Sequence, residues 1–147
     1  MTFRLIPIGR DGRPEPALGA LPEDILAILE ATADFHDRIG YAPPWIGYLA
    51  LDGDEIVGGG GFGGPPQDGR VEIAYFTRQG LEGLGHARRT AAALVARARE
   101  TLPGVVIWAK TAPERGPSPA ILQRLGFERD GVVVDHEIGE AWAWRLG

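Results

Sequence analysis

The apolar run Val105–Lys110 constrains the fold more than any other stretch of this chain. It follows the turn Pro103-Gly104 and shows no alternation of polar and apolar residues, which is typical of a strand buried on both faces of a sheet. The segment before it, Leu84–Thr101, repeats small and apolar residues at helical spacing. A helix that leads into such a strand predicts an α/β fold.

The remaining periodic segments complete this prediction. Period-2 patterns and turn residues predict six further strands, and helical spacing predicts two further helices. The strands are Thr2–Ile8, Trp45–Leu51, Glu55–Phe62, Val71–Thr77, Gly131–Val134 and Ala141–Leu146; the helices run from Pro22 to about His36 and over Ala120–Leu125. The predicted order is β α β β β α β α β β. We therefore expect an α/β (α+β) protein of one domain, residues 1–147, with a central mixed β-sheet flanked by helices.

Composition excludes several classes of protein. The chain has no cysteine, which excludes disulfides, thiolate metal sites and a covalent cysteine intermediate. No apolar run approaches the ~20 residues of a membrane span, and the first residues lack a leader pattern, so we expect a cytoplasmic protein without a membrane partner. The net charge of −5 argues against nucleic acid as a partner. His36 and His136 have no neighbours at metal-ligand spacing, which predicts no metal site.

The charge is distributed unevenly along the chain. Residues 78–110 contain six basic and two acidic side chains, although the whole chain is acidic. Such a basic segment is either a solvated helix face or a local site for an anion.

A glycine-rich turn lies between a predicted strand and a predicted helix in this basic segment. Its sequence is Gly80-Leu81-Glu82-Gly83-Leu84-Gly85-His86-Ala87. Glycines let backbone amides approach an anion closely, and a helix N-terminus adds partial positive charge, so the turn could cradle a phosphate. It is neither a P-loop nor the dinucleotide fingerprint, because no Gly-Lys-Ser/Thr follows and Arg88 takes the place of the third glycine. An ordinary loop is the alternative.

The wider arrangement resembles the GNAT acyltransferases. The similarity rests on Gly83-Leu84-Gly85-His86-Ala87 after a strand, and on Leu125-Gly126-Phe127 at the end of a later helix, and covers roughly residues 45–146. Ile56–Gly59 and Val71–Tyr75 are also similar to the branch that contains the ribosomal-protein N-terminal acetyltransferases. The resemblance implies a fold around an acetyl-CoA site and transfer of an acetyl group to an amine.

The resemblance also implies which residues contact the cofactor. The pantetheine arm would run beside Ala74, Tyr75 and Phe76, and Arg78, Arg88 and Arg89 are the candidate cations. The pyrophosphate would bind the loop residues Glu82, Gly83, Leu84, Gly85, His86 and Ala87. The sequence departs from the family pattern at three places: Gly80 replaces a Gln or Arg, Arg115 replaces an Asn, and Leu122 replaces a Tyr. Arg115 could contact the cofactor as a cation instead.

Two residues are candidates for catalysis. Acetyl transfer to an amine requires a base, and the resemblance places Glu72 beside the thioester; an exposed strand carboxylate is the alternative. Ser118 could contact the sulfur or act as a helix N-cap. The resemblance also places Trp45 in the loop that builds the acceptor pocket.

Three functions remain open from the sequence. The first is an acetyl-CoA-dependent N-acetyltransferase that transfers the acetyl group directly, within a ternary complex, to a protein N-terminus or a small-molecule amine. The second is a catalytically weak or inactive acyl-CoA-binding protein of the same fold. The third is a structural protein with an interface on the strand of Trp142 and Trp144. In the first two cases the chain would be a monomer or homodimer.

Overall fold

The computed structural model describes residues 2–147, which form one mixed seven-stranded sheet and three helices. The element order confirms the predicted β α β β β α β α β β. The strands are β1 (Phe3–Pro7), β2 (Gly47–Asp52), β3 (Glu55–Phe62), β4 (Arg70–Thr77), β5 (Val106–Thr111), β6 (Glu128–Asp135) and β7 (Gly139–Leu146); the helices are α1 (Glu23–Ile39), α2 (His86–Thr101) and α3 (Pro117–Arg124).

The sheet opens between its two central strands. Its spatial order is β1-β2-β3-β4-β5-β7-β6, and every neighbouring pair is antiparallel except β4 and β5. The parallel pairing of β4 with β5 covers only Arg70–Glu72 against Val106–Trp108. Beyond Glu72 the described strands diverge, so the second half of β4 is paired on one side only, with β3.

Two hydrophobic clusters hold the helices to the sheet. Ile25 and Leu29 of α1 pack with residues of β1, β2 and β3, including Leu49. Leu94 and Ala98 of α2 belong to the larger cluster, which also contains residues of β4 and β5. Because successive strand residues point to opposite faces, alternate positions of β2 serve the two clusters in turn. Among residues 2–147 the longest helix has 17 residues, and none is long and apolar enough to cross a membrane.

Several predicted element boundaries were wrong, and three of them have a local reason. α2 begins at His86 and not at Leu84, because Gly85 has a left-handed φ of 84° that ends the preceding loop. α3 begins at Pro117 and not at Ala120. Proline fits the first turn of a helix, because the N–H that it lacks would have no hydrogen-bond partner within the helix at that position. β6 extends over Glu128–Asp135, beyond the predicted Gly131–Val134, because an irregularity in register between Arg129 and Val132 lets it continue pairing with β7.

The strand with Trp142 and Trp144 is part of the core and not a free interface. Trp144 is buried, and its Nε1–H donates to Thr111 Oγ1 at 3.0 Å. The guanidinium of Arg129 lies 3.8 Å from the centroid of the Trp142 ring. The structure therefore does not support the interface hypothesis for this strand.

Candidate active site

The first component of the site is the gap between β4 and β5. Glu72 is the last β4 residue paired with β5, and Ala74–Phe76 follow it along the unpaired edge. The Ala74 residue is exposed even though it lies in a central strand of the sheet. An unpaired strand edge offers backbone N–H and C=O groups to an extended ligand, which suits a pantetheine arm with its two amides.

The second component is a cavity of about 680 Å³ at the end of this gap. The glycine loop and the first turn of α2 line one side of it, and α3 lines the other. Gly83 and Gly85 both have positive φ, and the first turn of α2 has neither an acidic residue nor a side-chain cap. Arg88 and Arg124 also line the cavity. Free helix N–H groups and two cations fit a pyrophosphate.

The structure assigns other contacts to several predicted cofactor ligands. The His86 side chain is buried, with Nδ1 2.7 Å from Arg89 Nη2. The backbone of His86 is therefore the part of this residue that could contact a ligand in the loop. Arg78 forms a two-point ion pair with Asp24 of α1, at 2.8 and 2.9 Å. The Glu82 carboxylate accepts from the Gly80 N–H at 2.7 Å and so closes the loop on itself.

The remaining cationic candidates also differ in their positions. Arg115, which the resemblance implied as a cofactor cation, is exposed and does not line the cavity. Arg88 does line it. Arg124 was not among the cofactor residues predicted from the sequence. It lies in the last turn of α3, seven residues after Pro117, and this position was the signal that could have indicated it.

Glu72 lies in a cluster of charges that three strands bring together. Lys110 Nζ on β5 is 3.5 Å from Glu72 Oε2 and 2.9 Å from Asp135 Oδ2 on β6. Burial raises the pKa of Glu72, and the nearby Lys110 ammonium partly opposes that rise. The hydrogen bond from Lys110, followed by that from the Glu137 N–H, lowers the pKa of Asp135 to about 2. Because Lys110 is held closely by Asp135, Glu72 remains only loosely paired.

Gly63 makes room for the Glu72 carboxylate. A Cβ at position 63 would lie 3.1 Å from Glu72 Oε1 and 3.3 Å from Glu72 Cβ. The Gly63 N–H also donates to the Glu72 carbonyl at 2.9 Å, which fixes the backbone on which the carboxylate stands. The carboxylate is therefore positioned by backbone and packing, as a base must be.

A pair of hydroxyls lies on the other face of β4. The Tyr75 hydroxyl is 3.2 Å from Ser118 Oγ on α3. Burial raises the pKa of Tyr75, and the Ser118 contact partly opposes that rise. The expectation that Ser118 caps α3 was wrong, because Gly116 holds the N-cap position and Ser118 lies inside the helix. Leu122, at the family's tyrosine position, is fully buried in the core. The contact between the Tyr75 hydroxyl and Ser118 was not predicted from the sequence.

A second cavity, of about 450 Å³, lies between α1 and the sheet and reaches Glu72. Its walls are mostly apolar and include Phe35 of α1 and Phe76 of β4. Trp45 does not line it; the indole packs against Phe62, with ring centroids 5.1 Å apart. A cavity therefore lies beside Glu72, and Trp45, which the resemblance placed at the acceptor pocket, contacts Phe62 of the lining instead of lining the cavity itself.

The mixed sheet and its flanking helices define an α+β fold, and comparison with known proteins identifies the family. Residues 21–128 match the family model described as an acetyltransferase (GNAT) domain. The chain belongs to the GNAT acetyltransferase domain family.

Individual relatives agree with this assignment. A Bacillus licheniformis protein named "Uncharacterized N-acetyltransferase p20" is 34% identical over 90 residues, which cover 60% of this chain and 51% of that protein. The chain thus spans about half the length of this curated relative. RimL, a ribosomal L7/L12 α-N-protein acetyltransferase, has a similar fold. The structure without ligand is 18% identical, with a TM-score of 0.69 over 99% of this chain and 93% of RimL. The structure with coenzyme A is 19% identical, with a TM-score of 0.64 over 86% of this chain and 73% of RimL. Mycobacterium smegmatis RimJ with a CoA disulfide also has a similar fold. It is 20% identical, with a TM-score of 0.61 over 82% of this chain and 59% of RimJ.

Proposed function

We propose that this protein is an N-acetyltransferase that transfers the acetyl group of acetyl-CoA directly to a primary amine. The observation that carries the proposal is the position of Glu72. Its carboxylate has a raised pKa, stands where β4 and β5 separate, and faces an apolar cavity on the α1 side of the sheet. A carboxylate in such a place can accept a proton from an amine that enters through the cavity.

The donor would bind along the gap between β4 and β5. The backbone of Ala74, Tyr75 and Phe76 is available to hydrogen-bond the pantetheine amides. The amides of Glu82–Ala87, with Arg88 and Arg124, would hold the pyrophosphate. Coenzyme A in the RimL and RimJ complexes supports this choice of donor. Arg115 is left as a cation for the more exposed phosphate of the donor.

The chain's own residues account for both proton transfers. Glu72 accepts the proton that the amine loses as the new C–N bond forms and the thioester C–S bond breaks. The leaving thiolate then takes a proton through the hydroxyls of Ser118 and Tyr75, which are 3.2 Å apart. Solvent water resupplies that proton, and Glu72 releases the amine proton to solvent. No covalent enzyme intermediate is required, in agreement with the absence of cysteine.

Thiol release from acetyl-CoA tests this function. Wild-type protein, Glu72→Gln and the surface control Glu100→Gln are assayed against apolar amines, polyamines and peptides, with acetyl-CoA binding measured by calorimetry. We expect Glu72→Gln to lose roughly 10²–10⁴-fold in rate while it still binds acetyl-CoA, because only the proton acceptor is removed. Glu100→Gln should behave as the wild type.

A non-catalytic acyl-CoA-binding protein is the second candidate. The observation that favours it is Leu122, which replaces the family's tyrosine with a buried apolar side chain. Acetyl-CoA binding without thiol release for any amine would support this candidate and contradict the first. Absence of acetyl-CoA binding would contradict both.

A further inference from the structure

Helix α1 presents an apolar stripe that the core covers only in part. Ile28, Ala31, Thr32 and Phe35 recur at the i, i+3, i+4, i+7 spacing of one helix face, beside the face that buries Ile25 and Leu29. These four residues line the 450 Å³ cavity at Glu72, and Ala31 is exposed. An apolar helix face turned toward an open cavity is a surface for an apolar ligand.

The strands below this stripe contribute little side-chain bulk to the cavity. Gly47, Gly61 and Gly63 all line it, so backbone forms much of its floor. A Cβ at Gly61 would lie 2.7 Å from the Ile46 carbonyl oxygen, and one at Gly47 would lie 2.8 Å from Thr32 Cγ2. The close approach of these elements leaves no room for side chains there. The volume of the cavity is within the range of ~300–1,000 Å³ that is usual for small-molecule sites.

The side-chain hydroxyls of the lining are already engaged, and its one carboxylate, Glu72, is only loosely paired with Lys110. The Thr32 hydroxyl donates to the Ile28 carbonyl at 2.8 Å, and the Tyr48 hydroxyl donates to the Pro44 carbonyl at 2.6 Å. The Tyr75 hydroxyl is bonded to Ser118. Within the described residues that line the cavity, Glu72 is the only one with a charged side chain. A ligand here meets one carboxylate and otherwise apolar walls.

We propose that this cavity selects a primary amine with an uncharged, apolar body, whose nitrogen lies at Glu72 and whose body packs against Ala31, Phe35 and Phe76. This inference rests on the proposed acetyl transfer and names its acceptor class. A polyamine would bring further ammonium groups against apolar side chains with no second carboxylate to pair them, and a peptide would bring amides that no free side-chain hydroxyl of the lining hydrogen-bonds; both are costly. The observations therefore favour an amine such as 2-phenylethylamine over either.

Acceptor competition in the intact protein tests the selection. kcat/KM is measured for 2-phenylethylamine, spermidine and the tripeptide Ala-Ala-Ala. We expect 2-phenylethylamine to exceed both others by at least tenfold. In Ala31→Phe, which fills the cavity, its KM should rise at least tenfold while acetyl-CoA affinity is unchanged. Ala27→Phe is the matched control, since Ala27 is an exposed residue of α1 outside the lining; its KM should not change.

The outcomes separate this inference from the proposed function. Efficient transfer to spermidine or the tripeptide in preference to 2-phenylethylamine, or an unchanged KM in folded Ala31→Phe, would overturn the inference and leave the acetyltransferase proposal standing. Binding of 2-phenylethylamine by calorimetry, lost in Ala31→Phe but without acetyl transfer to any amine, would support the cavity's selectivity and contradict the proposed function. Circular dichroism confirms that each variant is folded.

Discussion

Glu72 owes its properties to neighbours that arrive from distant parts of the sequence. β4 places the carboxylate at the point where the sheet opens, and burial there disfavours its charged form. Lys110, 38 positions later, favours the charged form but is shared with Asp135 of β6. The basicity of Glu72 is therefore a balance between desolvation and a cation that is held elsewhere.

Replacing Lys110 by Met should shift the pH profile of the enzyme. In the proposed mechanism acetyl transfer needs the deprotonated form of Glu72, so we expect activity to fall as the pH drops through its raised pKa. Without the ammonium the pKa of Glu72 rises further, and the acid limb of kcat/KM against pH moves to higher pH. Steady-state kinetics over a pH series measure this shift.

Asp135→Asn provides the opposite test of the same balance. It releases Lys110 from its closer partner and removes a negative charge that raises the pKa of Glu72. The acid limb should then move to lower pH, in contrast to Lys110→Met. Shifts in the same direction for the two variants would show that Lys110 does not control Glu72 electrostatically.

Tyr75→Phe should slow the transfer step without weakening acetyl-CoA binding. The substitution removes the hydroxyl that lies 3.2 Å from Ser118 Oγ and leaves the ring in place. We expect the single-turnover rate to fall by about tenfold. This is less than the usual ~10²–10⁴-fold effect of removing a proton donor, because Ser118 remains. Tyr41→Phe, whose hydroxyl contacts the Ile8 carbonyl away from the gap, is the control. Equal rates for both variants would exclude Tyr75 from proton transfer.

At the scale of elements, local sequence patterns are enough to predict the helices, the strands and the turn that precedes α2. Periodicity predicts every helix and strand in order, and the glycines at 83 and 85 predict a turn that leads into a helix N-terminus. Local pattern does not reveal the partners of Lys110. Asp135 reaches it from β6, across β7 in the order of the strands. Long-range strand pairing of this kind leaves no signal in a single sequence.

The glycines of β3 give a stability prediction at this scale. A Cβ at Gly61 would meet the Ile46 carbonyl oxygen at 2.7 Å and Gly47 Cα at 2.8 Å, both of which are backbone. Gly61→Ala should therefore lower the free energy of unfolding by about 1–3 kcal/mol through overpacking. Urea denaturation measures the loss.

Gly116→Ala is the control for this substitution. Its φ of 171° is extended backbone, and a Cβ there meets no atom within 4 Å. It should cost less than about 1 kcal/mol, chiefly through its N-cap position. If both variants lose the same stability, close strand approach is not the reason for glycine at position 61.

At the scale of the whole molecule, the sheet consists of two parts joined at its centre. β1–β4 and β5–β7 share three paired positions, and α2 connects β4 to β5 across the opening. The gap and the cavity at the loop therefore lie between elements of both parts, with α2 on one side and α3 on the other. A ligand that binds there contacts both parts at once, so binding and folding stability are linked.

Acetyl-CoA should consequently raise the melting temperature of the protein. At a free concentration 100 times its Kd, a ligand specific for the folded state adds about 2.7 kcal/mol. For a chain of 147 residues this corresponds to roughly 5–10 °C, measurable by differential scanning calorimetry.

The arginines at the cavity decide how much of this stabilisation comes from the pyrophosphate. Arg124→Gln should bind acetyl-CoA more weakly and show a smaller shift at the same ligand concentration, because one of two lining cations is lost. Arg99→Gln, in the last turn of the same α2 that begins at the loop, should keep the full shift. S-acetyl-N-acetylcysteamine has the thioester but no phosphates, and its effect should be equal in all three proteins. An equal acetyl-CoA shift in Arg124→Gln and wild type would mean that the glycine loop holds the pyrophosphate through its backbone alone.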